Sequence, residues 1–241
     1  MKSIQELCKP REVIFTEANR EDALNLADLI QNKINPEKFF GENYITGGME
    51  RLLQTAFDRF EGKSSVSVIK LTQAMGGGKT HNMIALGLLA KHPELREKFK
   101  SDIQFKQPVR VVAFSGRESD APYGIWGSIA EQLGKLELFE KYYRPLLQAP
   151  GETAWINLLQ GEPILILLDE LPPYFTSTAS TPVGNSDLSV VTTTALSNLL
   201  VAVNKADLAN VLIVISDLRA SYESGSQKLN KAFQNFDKET N

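Results

Sequence analysis

Apolar positions recur at helical spacing through the first sixty residues, and then give way to short solid runs. Over residues 21–33, Ala23, Leu26, Ala27 and Ile30 share one face, which predicts a helix stopped by Asn35-Pro36. Thr46 opens a second helical segment with Met49, Leu52, Leu53, Ala56, Phe57 and Phe60 on one side. Between them Phe39-Phe40-Gly41-Glu42-Asn43-Tyr44 reads as an aromatic connector. From Val66 the texture alternates. Residues 66–72, 109–115, 163–168 and 211–216 read as strands, and the run 163–168 is apolar throughout, as a strand covered on both faces must be. Helices are predicted from the glycine cluster to about Lys91, over 123–134, 136–147 and 152–160, and over 226–238. The Ser/Thr-rich stretch 176–194 reads as a loop in its first half and a helix in its second. Strands alternating with helices predict an α/β fold in three layers, a mostly parallel sheet with helices on both faces. The expected division is a helical lead-in over 1–62 and a core over 63–241.

Composition narrows this little. The chain has 241 residues, long enough to bury a core without staples. Lys+Arg 26 against Asp+Glu 29 gives a net charge of −3, which makes no electrostatic case for nucleic acid or an anionic membrane. One cysteine and two histidines exclude an intrachain disulfide and make a cysteine- or histidine-based metal centre a poor reading. The apolar runs are far shorter than a membrane helix needs, and the opening Met1-Lys2-Ser3-Ile4-Gln5-Glu6 lacks the apolar stretch of a signal peptide. A cytoplasmic protein with no membrane partner is the expectation.

Chemistry enters at Val66-Ser67-Val68-Ile69-Lys70-Leu71-Thr72-Gln73-Ala74-Met75-Gly76-Gly77-Gly78-Lys79-Thr80. A turn that cradles phosphate needs glycines so that backbone N–H groups point inward, and the helix that follows adds its positive end. Gly76, Gly77, Gly78, Lys79, Thr80 and His81 form the candidate phosphate site, with Lys79 reaching the terminal phosphates and the Thr80 hydroxyl on Mg²⁺. The sequence departs from G-x-x-x-x-G-K-[ST] at its first glycine, where Gln73 stands. His81, in the first helical turn, is read chiefly as a packing residue.

The strand over 163–168 runs into Asp169-Glu170. In a doubly wound sheet ligands sit beyond the carboxyl ends of the strands, so both acids are expected beside the glycine turn. Asp169 is assigned to Mg²⁺ and Glu170 to activation of an attacking water, which favours hydrolysis over transfer to a small molecule. Ser216 and Asp217 end the fourth strand, where Ser216 is the candidate partner of the attacking water or the γ-phosphate. Arg219 follows on the same edge, and a surface arginine is the simpler reading. Asn204-Lys205-Ala206-Asp207 imitates a guanine-reading element that follows a strand. The next strand begins too soon for a parallel crossover, and the apolar positions before Asn204 keep helical spacing back to Leu188, so a helix end is predicted there.

With Leu71–Asn82 and Leu167-Leu168-Asp169-Glu170-Leu171 in hand, the chain resembles the N-terminal ATPase domain of large bacterial P-loop ATPases linked to anti-phage defence. These include the ATPase of bacteriophage-exclusion systems, long catalogued as a domain of unknown function. Leu7-Cys8-Lys9-Pro10-Arg11, the stretch 40–49 and the stretch 125–133 are similar to that family as well. The resemblance implies an AAA+-like P-loop fold, ATP with Mg²⁺, and roles for Lys79, Thr80, Asp169 and Glu170 as assigned above. It also implies self-association or other subunits of a defence complex, with nucleic acid met only through that complex. No segment after Ser216 is long enough for the fifth strand and helical lid that complete such a module, so the core is expected to be truncated and its arginine finger supplied elsewhere. Two other function classes stay open: a nucleotide-gated oligomerisation module with little turnover, and, with less support, a GTPase or nucleic-acid motor. Residues 44–46 are a candidate wall for the base.

Overall fold

The computed structural model describes residues 24–72, 77–100, 102–117, 121–144, 148–216 and 223–240. Three helices lead in: α1 (Leu26–Ile30), α2 (Pro36–Glu42) and α3 (Gly47–Phe60). The remainder runs β1 (Val68–Leu71), α4 (Lys79–Lys91), α5 (Pro93–Phe99), β2 (Arg110–Ser115), α6 (Gly124–Gln132), a 3₁₀ turn (Leu136–Phe139), α7 (Glu140–Tyr143), α8 (Glu152–Leu159) and β3 (Ile164–Asp169). It continues through α9 (Leu171–Thr178), a hairpin of β4 (Pro182–Val183) and β5 (Ser186–Asp187), α10 (Leu188–Val203), a 3₁₀ turn (Ala206–Leu208), β6 (Val211–Ser216) and α11 (Glu223–Thr240).

Four strands form one parallel sheet in the order β1-β6-β3-β2. Every residue of β3 and β6 is buried, because alternate side chains enter two separate cores. Ile164, Ile166, Leu168, Ile213 and Ile215 face a core closed by α6, α8, α9, α10 and α11. Leu165, Leu167, Leu212 and Val214 face the opposite core, where Met83, Leu86 and Leu89 of α4 meet Leu53, Ala56 and Phe57 of α3. The lead-in helices therefore share one core with the sheet. Arg59 of α3 ties them further: its buried guanidinium donates to the carbonyls of Val211, Ser65, Val203 and Leu208 at 2.9–3.3 Å. No helix among the described residues is long and apolar enough to cross a membrane.

The outer edge of β2 carries no strand among the described residues. There the side-chain amide of Gln132 takes a strand's place, accepting from the N–H of Ala113 at 2.9 Å and donating to its carbonyl at 2.8 Å.

Three expectations change. Asn35-Pro36 does not merely stop a helix: Asn35 accepts from the N–H of Lys38 at 3.0 Å and Pro36 starts α2, so the aromatic connector is itself helical to Glu42. The first half of 176–194 is not a loop. Helix α9 persists to Thr178, whose hydroxyl donates to the Tyr174 carbonyl at 2.9 Å as that of Thr176 does to Pro172 at 3.1 Å, and the hairpin follows. The helix predicted over 136–147 is a 3₁₀ turn and one short helix to Tyr143, with residues 145–147 outside the described ones. By contrast α10 does end at Val203, and Asn204 accepts from the Ser67 hydroxyl at 3.2 Å, at the opposite end of the sheet from Asp169.

Candidate functional site

Because the strands are parallel and nearly flush, their carboxyl ends make one crest. Leu71 of β1 pairs with Ser216 of β6, and Ser115 of β2 pairs with Asp169 of β3.

Between β1 and α4, Gly76 and Gln73 lie outside the described residues, as do Asp217 and Arg219 beyond β6. Gly77 and Gly78 are exposed, and Gly78 caps α4 in the left-handed region (φ 72°, ψ 23°) with open space around it. Backbone conformation, not room, thus calls for glycine at 78. Among the described residues no side chain caps α4, so the backbone N–H groups of its first turn find no acceptor within the helix itself. Lys79 is only 8% exposed. The His81 imidazole stacks on Phe39 of α2, centroids 4.6 Å apart, and burial holds its pKa below the ordinary value. Its ring is therefore a packing group, and only its backbone N–H belongs to the turn.

The turn and β3 meet directly: the Thr80 hydroxyl donates to Asp169 Oδ2 at 2.6 Å. Asp169 is 4% exposed, and its other oxygen accepts from the Ser216 hydroxyl. The same Ser216 oxygen accepts the Glu170 N–H at 3.2 Å. Ser216 is fully buried, and its hydroxyl bridges the two acidic residues.

Glu170 adopts φ 50°, ψ 40°, one of two non-glycine residues at positive φ among the described residues. Such a conformation costs on the order of 1–3 kcal/mol and persists only where neighbours impose it. Here Ser216 holds its N–H from one side. From the other, Gly116 at the end of β2 donates to the Asp169 carbonyl at 2.8 Å, and a Cβ on Gly116 would overlap the Glu170 carbonyl oxygen and Leu171 Cα. The next residue, Arg117, forms an ion pair with the Glu170 carboxylate, Nε to Oε2, with Nη2 at 3.4 Å from Oε1.

Sequence reasoning missed Ser115-Gly116-Arg117. The rule that singles out the carboxyl ends of β1, β3 and β6 also covers β2, and was the available signal. The candidate base wall offers Tyr44 at 86% exposure, while Thr46 spends its hydroxyl capping α3. A hydrated Mg²⁺ fits the adjacent oxygens of Thr80 and Asp169, both hard donors. Among the described residues no group of three or more His, Cys, Asp or Glu could hold a metal.

The fold is α/β, a parallel four-stranded sheet whose crest brings the Gly-Lys-Thr turn beside Asp169 and Glu170. The chain belongs to the family described as the DUF499 N-terminal domain, whose model matches residues 12–113 and 100–240. Comparisons with curated proteins and with solved structures returned no match.

Proposed function

We propose that this domain is a P-loop, AAA+-like ATPase that binds ATP with Mg²⁺ and hydrolyses it to ADP and phosphate. The observation that carries the reading is the 2.6 Å hydrogen bond from Thr80 to Asp169, which joins the glycine turn to the acidic strand end. The N–H groups of the first turn of α4 and the Lys79 ammonium bind the β- and γ-phosphates. Thr80 and Asp169 would hold Mg²⁺, which would supply neutralisation of the phosphate charge. Glu170 orients a water and takes one of its protons while the water oxygen bonds to the γ-phosphorus. The bond from that phosphorus to the bridging oxygen breaks, ADP leaves with the electron pair, and Glu170 returns its proton to solvent or product. Ser216 and Gly116 keep the 169–170 peptide in place for this step.

Two variants test the reading. Lys79→Ala is expected to abolish ATP binding at equilibrium in the presence of Mg²⁺. Glu170→Gln is expected to bind ATP and to lose turnover. Turnover retained in Glu170→Gln removes Glu170 from the mechanism, and binding unchanged in Lys79→Ala removes the glycine turn. Comparing ATP with GTP in the same titration addresses base choice, for which Tyr44 is an exposed aromatic among the described residues.

The family resemblance extends the proposal to a motor domain of a larger bacterial assembly in anti-phage defence. One observation favours a second reading, a nucleotide-gated assembly module with little turnover: the Glu170 carboxylate is engaged by Arg117. Sizing the chain with and without ATP separates the two, since that module must change its oligomeric state on binding.

A further inference from the structure

The amino end of β2, at the opposite end of the sheet from the glycine turn, holds two cations with no carboxylate to answer them. Lys91 closes α4 and Arg110 opens β2, and both line a cavity of about 540 Å³. Burial pushes the Lys91 ammonium below its usual range, and the charge of Arg110 pushes it further. Two like charges therefore share one cavity. Neither forms an ion pair with an acid among the described residues. Lys91 donates to the Leu29 carbonyl at 3.1 Å and to Asn32 Oδ1, and Arg110 donates to the Gln132 carbonyl at 2.7 Å. Glu162 also lines the cavity, exposed and bonded to neither cation.

These bonds leave donors to spare. An ammonium has three N–H groups and a guanidinium five, so each keeps some for a ligand. Asn32 gives its amide oxygen to Lys91 and keeps its amide N–H groups. The backbone adds another donor. Arg110 donates to the Pro163 carbonyl and Gly116 to that of Asp169, so alternation along the ladder turns the N–H groups of Val111 and Ala113 away from β3. Gln132 meets Ala113, whereas nothing among the described residues meets Val111. Beside these donors the walls are aliphatic, from Ile30, Pro108, Val109 and Val111. Donors converging beside aliphatic walls suit an anion with an apolar part, and such an anion also relieves the repulsion between Lys91 and Arg110.

We propose that this cavity is a second binding site, which takes a carboxylate carrying a short branched apolar group and holds its oxygens with Lys91, Arg110 and Asn32. The ligand clasps the end of α1, the end of α4 and the start of β2 at one point, and so fastens the lead-in helices to the sheet. The site does not depend on the ATPase reading.

Calorimetry on the whole chain, with isovalerate as the probe, tests it. Saturable binding in the millimolar range is expected of so small a ligand. Arg110→Gln and Lys91→Gln should each weaken it about ten-fold or more, as loss of a charged hydrogen-bond partner does. Arg110 is exposed, so its variant reads the site even where loss of the Lys91 bond to Leu29 unsettles α1. Isovaleramide has the tail without the charge and inorganic phosphate the charge without the tail, so each should bind at least about ten-fold more weakly than isovalerate. Acetyl-alanyl-valine presents the same carboxylate on a peptide: tighter binding than isovalerate supports a chain end as the source, and weaker binding supports a free acid. Absence of saturable isovalerate binding overturns the proposal. So does binding that Arg110→Gln leaves unchanged, or that phosphate or isovaleramide matches.

Discussion

Ser216→Ala removes one oxygen and with it two bonds, to Asp169 and from the Glu170 N–H. A bond to a charged group contributes about 1.5–3 kcal/mol, and a buried donor left unpaired costs about 1–3 kcal/mol. The two losses share one atom and do not add fully, so a net destabilisation of about 2–4 kcal/mol is expected. For a chain of this size each kcal/mol lowers Tm by about 2–4 °C, which predicts a fall of about 4–16 °C by calorimetry or circular dichroism. The chemistry should suffer separately. Glu170 is held at positive φ by this bond, so its release displaces the carboxylate, and kcat should drop by about ten- to a hundred-fold. ATP affinity should stay within about three-fold, because the glycine turn and Lys79 are untouched. Ser216→Thr, which retains the hydroxyl, should recover part of kcat. A Tm within about 1 °C of the wild type together with unchanged kcat would refute the assigned bonds.

Three further outcomes follow from the geometry. Gly116→Ala forces a Cβ into the Glu170 carbonyl and should cost about 1–3 kcal/mol in urea unfolding, with turnover lost and ATP binding kept; unaltered turnover would show that the approach is dispensable. Arg59→Ala strips donors from four carbonyls and should destabilise by more than about 3 kcal/mol, a loss that urea unfolding reads directly and that a midpoint close to the wild type would contradict. Burial lowers the pKa of His81, which stacks on Phe39, so the unfolded chain binds its proton first as pH falls. The contribution of His81 to stability is therefore complete above about pH 6.5 and is lost as pH drops below it, so His81→Gln should flatten Tm against pH between about 7 and 5, and an unchanged slope would exclude that role.

What the sequence made legible was whatever sits within one element and its flanking turn. The solid run before Asp169 implies a covered strand, and a covered parallel strand puts its terminal acids on the crest. The Gly-Lys-Thr sequence similarly implies a strand before it and a helix after. Local signals of double meaning were harder. Asn35-Pro36 ends one helix and caps the next, and hydroxyl residues favour loops unless they bond back to the preceding turn, as Thr176 and Thr178 do. Contacts across elements left no trace in spacing. Arg117 follows a strand with nothing to mark it, and its partner lies 53 positions away. Ser216 was noticed for its place, but only packing reveals that its hydroxyl faces inward.

Among the described residues the sheet stops at β2, and the side chain of Gln132 covers that edge. A parallel strand at an edge normally offers its peptide groups to any extended chain of suitable shape, including another copy of itself. By answering both groups of Ala113 from a neighbouring helix, one amide closes the centre of that border with the chemistry an intruding strand would use. Self-association of this domain, if its work requires it, is thereby steered away from sheet extension through β2. A single apolar replacement at position 132 would turn an insulated margin into an open seam.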